Sequence, residues 1–326
     1  WVQFLKGTLL IAFSLMLVVA VLMRGFSTEP DQGGKVPFYE YATLAASVSD
    51  GTVTPEEPGY EVVGYSPDNR FVKMANGEEL GWWYLDETAE ATVLHETQWK
   101  TIQPNGGLWI NGAPATDENS LRLVSNLEAI EGRSGVDVHS GSVGVVEFLA
   151  TMGNEESVVR RWGSYKFQDG EDSVNVFYPV FTKGDRIMRP GLKFDVEGTP
   201  IQKLNFVSLM LALFCGTAAL PHILIRYYTV PTPAAARKST IVAIASIGFF
   251  YILTLYMGLG AMANAVVNLE SNNMSAPLLA RSFGVLLFAC ISAVAFATVL
   301  GTVSGLIVAA SGAVAHDLMD RYLDLE

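Results

Sequence analysis

Two threonines near the carboxyl end of the chain, Thr298 and Thr302, are the residues whose types and spacing most clearly suggest chemistry. They are four positions apart, so in a helix they lie on one face. A hard cation such as Na+ takes oxygen ligands, and hydroxyl and carbonyl oxygens supply them without a fixed charge. The residues alone leave a second interpretation open, in which threonines of an apolar helix bond back to their own backbone.

A second stretch of this kind covers residues 216–221, in the middle of an apolar segment. Pro221 removes one helical hydrogen bond and frees the carbonyl group of Thr217, four residues earlier. In lipid a freed carbonyl must be satisfied by a neighbour, water or an ion, and broken helices often build the substrate site of a transporter. We therefore expect Gly216, Thr217 and Pro221 to contact a substrate, with an ordinary proline kink as the alternative.

The elements that must position these residues are membrane spans. Of the 326 residues 50% are hydrophobic and only 17% are charged, whereas a soluble domain carries roughly 25% charged residues. Residues 28–200 hold 28 acidic and 13 basic side chains, a net charge of -15, and the rest of the chain holds 5 and 8. The net charge of -12 argues against a nucleic-acid binder, and two cysteines exclude a disulfide scaffold.

Four long apolar stretches are each near the ~20 residues that cross a bilayer. They are residues 5–23, 204–225, 240–269 and 282–315. The loop between the second and third contains Arg226, Arg237 and Lys238 and no acid, so the positive-inside rule places it in the cytoplasm. Residues 27–200 are then outside the cytoplasm, and we expect a multi-pass protein of the plasma (inner) membrane.

The outside block has a strand-like pattern, and we predict an α+β unit that is mostly β. Short β-prone runs separated by turn residues cover 60–63, 70–74, 80–84, 157–167, 173–181 and 186–194. Residues 120–130 are predicted to form a helix that begins after Asp117 and Asn119. No nucleophile–base pair and no glycine-rich phosphate loop is present in the sequence, so we do not expect an enzyme.

At the two candidate stretches the sequence resembles a known family. The run GTAALPHILIRYYTVPTPAAARKST at 216–240 is followed by NNMSAPLLA at 272–280, AFATVLGTVSGL at 295–306 and SGAVAHDLMD at 311–320. In this order the runs resemble the sodium/solute symporter family, specifically its acetate-permease-like branch in a variant with a large insertion. The resemblance covers residues 1–26 and 201–326.

The resemblance implies an α-helical polytopic membrane protein, part of a leucine-transporter-like inverted-repeat fold. Residues 1–26 would be one transmembrane helix, 27–200 the extracytoplasmic insertion and 201–326 three helices of the symporter core. The family's sodium ligands would fall on the carbonyl of Thr298 and on a hydroxyl pair at Gly301 and Thr302. Here the sequence departs from the pattern, because Gly301 has no hydroxyl.

The resulting hypothesis is a secondary active transporter that couples sodium to the uptake of a small organic anion, such as a short-chain monocarboxylate, by alternating access. Its partners would be that anion and the lipid bilayer, and no nucleic acid. One alternative is a symporter-like membrane sensor whose outside insertion detects a ligand. Another is that residues 27–200 bind a small partner subunit or a second copy of the chain.

Overall fold

The computed structural model describes residues 2–33, 38–87, 91–189, 191, 194, 196–219 and 230–322. Among these residues the α-helices are α1 Val2–Arg24, α2 Val145–Met152, α3 Gly184–Ile187, α4 Pro200–Ala218, α5 Pro233–Ala263, α6 Ser275–Phe283 and α7 Val285–Gly312. A 3-10 turn, Asn272–Met274, precedes α6, and a π-helical segment, Ala313–Asp320, continues α7. Long helices therefore flank a central region that is rich in strands.

The strands lie between α1 and α3, except for one that directly follows α5. They are β1 Phe26–Ser27, β2 Thr43–Ser49, β3 Thr52–Pro55, β4 Tyr60–Tyr65, β5 Phe71–Asn76, β6 Glu79–Glu87, β7 Thr92–Glu96, β8 Gln98–Ile102, β9 Leu108–Ile110, β10 Ala113–Pro114, β11 Val124–Ile130, β12 Arg133–Ser134, β13 His139–Gly141, β14 Val158–Asp169, β15 Asp172–Lys183 and β16 Asn264–Val267.

The strands form two antiparallel sheets and a short β1–β13 pair. The large sheet has the order β10–β9–β8–β15–β14–β11–β12, with β16 beside β11, and the small sheet has the order β3–β2–β7–β6–β5–β4. The β14–β15 hairpin is the longest pairing described, from Val158↔Lys183 to Asp169↔Asp172. Gly170 has a φ of +64° at its turn, a conformation that glycine adopts without steric cost.

Aromatic side chains fill the space between the two sheets. Phe71 and Trp82 of the small sheet are 0% and 3% exposed. They pack against the large sheet at Phe167, whose ring centroid lies 4.9 Å from that of Trp82. These three aromatic side chains are therefore part of the core and need no ligand to explain their burial.

The strand-rich region and the helices share one hydrophobic core. Leu17 and Val21 of α1, Leu127 of β11, Phe148 of α2 and Leu279 of α6 are each completely buried in it. Where α1 leads into β1, Gly25 has a φ of +71°, and a β-carbon at this position would lie 1.7 Å from the carbonyl oxygen of Gly141. The chain therefore passes from helix to sheet through a position that only glycine fits.

The strand β16 extends this connection into the large sheet. It follows α5 immediately and pairs antiparallel with β11, at Val124↔Val267 and Asn126↔Asn264. The side-chain amide of Asn264 donates to the carbonyl of Gly260 at 2.7 Å, and the backbone N–H of Asn264 donates to the same carbonyl at the end of α5. The large sheet is thus hydrogen-bonded to the segment that joins α5 and α6.

Three helices in the described part of the chain are long and apolar enough to cross a membrane. They are Phe4–Arg24, Pro233–Ala263 and Val285–Asp320. About 44% of the described residues are helical and 30% are in strands. The predicted fold class, an α-helical polytopic protein with a leucine-transporter-like inverted-repeat core, is therefore wrong for this chain, because a mixed α and β architecture with three candidate spans does not form such a repeat. That prediction gave too much weight to the residues covered by the resemblance.

Several element predictions also need correction. Residues 120–130 contain the strand β11 and not a helix. In the stretch 186–194, predicted as a strand, the described residues begin inside α3. The span predicted at 240–269 ends as a helix at Ala263 because β16 follows. The span predicted at 204–225 is described only as far as residue 219, where α4 has ended.

One buried histidine makes the stability of the strand-rich region depend on pH. His95 is 9% exposed, and burial lowers its pKa even though Asp86, 3.7 Å away, acts in the opposite direction. Since the folded-state pKa lies below the unfolded value of about 6.5, the stabilisation from neutral His95 is complete above that value and is lost as pH falls below it. Denaturant unfolding at pH 7.5, 6.5 and 5.5 should show this loss. His95→Gln should remove that part of the pH dependence, and an unchanged slope would contradict the assignment.

Candidate functional site

The predicted sodium ligands lie along α7. This helix begins after Gly284, where φ is +138°, and continues through a stretch with no charged side chain. The hydroxyl of Thr298 donates to the carbonyl of Val294 at 2.8 Å, and the hydroxyl of Thr302 donates to the carbonyl of Thr298 at 3.1 Å. The backbone-bonded arrangement that the sequence left open is thus present. Each hydroxyl oxygen keeps two lone pairs that a cation can use.

The only charged side chain in the first part of α1 reaches this stretch. Lys6 donates from Nζ to the carbonyl oxygen of Ala297 at 3.3 Å, one residue before Thr298. Thr298 is half-buried and Thr302 is exposed. The structure therefore brings a lysine ammonium group next to the predicted sodium ligands. The sequence-based prediction gave Lys6 no role at the site. The signal that could have identified it is its position as a single charge near the start of an apolar span.

The predicted substrate contacts are only partly described. Gly216 and Thr217 occupy the last turn of α4, and both are exposed. A β-carbon at Gly216 would meet no atom within 4 Å. Pro221 lies outside the described residues. No hydrogen bond joins α4 to α7 in the part of the chain that the structure describes.

A second candidate site lies between the large sheet and α5. A cavity of about 870 Å³ is bounded there by β11, β14 and β15 on one side and by the second half of α5 on the other. Arg161 is its charged lining residue among those described. No pattern in the sequence singled out this arginine, because it faces the cavity only after β14 and α5 have packed together.

Comparison with known proteins agrees with the resemblance found in the sequence. Residues 186–324 match the model of the sodium:solute symporter family. A protein named monocarboxylic acid transporter, from Corynebacterium glutamicum, is 49% identical over 151 residues, which are 44% of this chain and 27% of that protein. A protein named uncharacterized symporter YwcA, from Bacillus subtilis, is 45% identical over 146 residues, 43% of this chain and 27% of the relative.

The matches cover about a quarter of the length of these relatives. No solved structure matches the chain. The three long apolar helices and the family match together indicate part of a membrane protein. They confirm the resemblance, which rests on the match of residues 186–324 to the sodium:solute symporter family model.

Proposed function

We propose that this chain is part of a secondary active transporter, not an enzyme, that brings a small organic anion into the cell together with Na+. The observation that carries the proposal is the match of residues 186–324 to the symporter family model. The 49% identity to a protein named monocarboxylic acid transporter supports a short-chain monocarboxylate as the substrate. Transport would occur by alternating access across the plasma (inner) membrane, with residues 27–200 outside.

Sodium binding is proposed at the exposed side of α7. Thr298 and Thr302 would each offer oxygen lone pairs that remain free after their hydroxyl protons have bonded to the helix. Gly301 supplies no side-chain ligand, so the oxygen contribution of this helix rests on the two threonines. Gly216, Thr217 and Pro221 are proposed as substrate contacts, because backbone groups at a helix break can bind a carboxylate or an ion.

Removing one hydroxyl from this helix should weaken sodium coupling. In the full-length protein, we expect Thr302→Ala to raise the sodium concentration that gives half-maximal uptake by about tenfold, a typical consequence of losing one polar contact worth about 1.4 kcal/mol. The measurement is uptake of a labelled short-chain monocarboxylate as a function of external sodium.

The matched control is Ser304→Ala. Ser304 donates to the carbonyl of Leu300 at 2.8 Å, in the same backbone-bonded way, but lies two positions further along the helix and therefore on another side. It should leave the sodium dependence unchanged. Uptake that is indifferent to sodium in the unmodified protein and in Thr302→Ala would defeat the coupling proposal.

A further inference from the structure

The cavity between the large sheet and α5 has the size and position of a small-molecule site. Its volume of about 870 Å³ falls within the range of roughly 300–1,000 Å³ that is common for ligand pockets, which often lie where two structural units meet. One wall consists of residues of β11, β14 and β15, and the other runs along α5 from Tyr251 to Met262. The segment after β16 closes one side.

The charge of this cavity is unusual for its surroundings. Arg161 lines it, and no aspartate or glutamate is among its described lining residues, although residues 28–200 carry 28 acidic side chains. In the described chain Arg161 has no ion pair or hydrogen bond through its side chain. Its neighbour Arg160 is bonded to Glu128 and is not among the residues that line the cavity. The guanidinium of Arg161 is therefore available to an anion.

One further hydrogen-bonding group at the cavity also lacks a partner. The hydroxyl of Ser125, which lines the cavity, is buried and has no hydrogen-bond partner among the described residues. Ser125 also has a φ of +79°, which is costly for a residue other than glycine. Buried polar groups are normally satisfied, so unsatisfied ones beside a cavity indicate a missing ligand or water.

Asn268 adds a donor of known orientation. Its Oδ1 accepts from the backbone amides of Glu270 and Ser271, at 2.8 and 2.9 Å. The Nδ2 group of the same side chain is thereby left to donate elsewhere, and Asn268 lines the cavity. The polar groups at the cavity are thus mainly donors, as an anion requires.

The rest of the wall is apolar. Phe177 and Leu259 are 4% and 7% exposed, and Leu255 and Met262 extend the same surface along α5. An occupant must therefore combine one negative charge with a short hydrocarbon part. A carboxylate fits a single arginine because two of its oxygens can accept from the guanidinium at once.

We propose that this cavity binds a small monocarboxylate anion, with its carboxylate on Arg161 and its hydrocarbon chain against Leu259 and Phe177. The proposal rests on the transport function proposed above and extends it, since it adds a site for the same class of substrate on the large sheet. Binding there would hold the anion next to α5 before it reaches the transport pathway.

The site can be tested by chemical protection in the full-length protein. Ser164 is exposed and lines the cavity, so Ser164→Cys, in a background whose own cysteines are replaced by serine, places a reactive thiol there. The rate of its modification by a maleimide is measured with and without butyrate. At butyrate ten times its Kd, occupancy of about 90% should slow modification on the order of tenfold.

Arg161→Gln, added to this variant, should abolish the protection at the same butyrate concentration. Arg133→Gln is the matched control, because Arg133 is an exposed arginine of β12 that does not line the cavity, and it should preserve the protection. Butyramide, which has the same shape without the charge, should not protect.

Three results would overturn the proposal. The first is protection that survives Arg161→Gln, and the second is equal protection by butyramide. The third is protection by phosphatidylglycerol in the vesicle but not by butyrate, which would identify a lipid as the occupant. The outcome is separable from the transport proposal. Protection without any uptake would leave the site standing and defeat transport, whereas uptake without protection would do the reverse.

Discussion

Replacing Arg24 by methionine is expected to destabilise the protein by about 3 kcal/mol or more, because it removes the guanidinium group and all of its hydrogen bonds. Its guanidinium donates to the side chains of Asn264 and Ser282, at 2.9 and 3.0 Å, and to the carbonyl of Ser282 at 2.7 Å. It also lies 3.8 Å from the centre of the Phe283 ring. One residue at the end of α1 thus joins β16 to the end of α6.

Thermal unfolding of the full-length protein in lipid nanodiscs measures this effect. The methionine variant keeps much of the side-chain volume, so the loss of hydrogen bonds is tested with little change in packing. Arg24→Lys is the matched comparison, because one ammonium group keeps the charge but not the planar fork that reaches several acceptors. The melting temperature of Arg24→Lys should lie between those of the unmodified protein and Arg24→Met. A methionine variant that melts within about 1 °C of the unmodified protein would show that this junction does not limit stability.

Replacing Lys6 by glutamine should strengthen sodium binding. The ammonium group contacts the carbonyl of Ala297, next to the proposed ligand Thr298, and a second cation there is repelled. Two unit charges roughly 8 Å apart repel each other by about 2 kcal/mol at an effective dielectric constant of about 20. Allowing for screening, we expect the sodium concentration for half-maximal uptake to fall by about tenfold.

The control for this prediction is Lys6→Arg, which keeps the positive charge and should keep the sodium dependence of the unmodified protein. Both variants are assayed by uptake of a labelled monocarboxylate at varied external sodium. If Lys6→Gln needed more sodium than the unmodified protein, the ammonium group would support the site and not oppose it. The electrostatic account would then be wrong.

Local sequence patterns were sufficient to predict many strands of the strand-rich region. The predicted runs at 60–63 and 80–84 lie within β4 and β6, and the run at 70–74 overlaps β5. Gly170 and Glu171 form the turn between β14 and β15. The helix predicted at 120–130 was wrong because almost every residue of β11 is buried, so alternation between exposed and buried faces is absent. Its partner β16 is more than a hundred positions away in the chain, and no local signal reports such a pairing.

The same limit applies to the candidate sites. The spacing of Thr298 and Thr302 predicts a shared helix face, which is a local property. The approach of Lys6 to Ala297 depends on how α1 packs on α7, and the exposure of Arg161 to the cavity depends on how β14 packs on α5. Long-range packing decides both, and short motifs cannot encode it.

The strand β16 has a mechanical consequence. It is covalently continuous with α5 and hydrogen-bonded to β11, so no linker separates the helix from the large sheet. Any tilt of α5 would rotate that sheet as one body, and a small angle at the helix would become a larger displacement at the far edge of the sheet. The distance from a dye on β10 to the bilayer surface would therefore report the helix angle during a transport cycle, without any label inside the membrane.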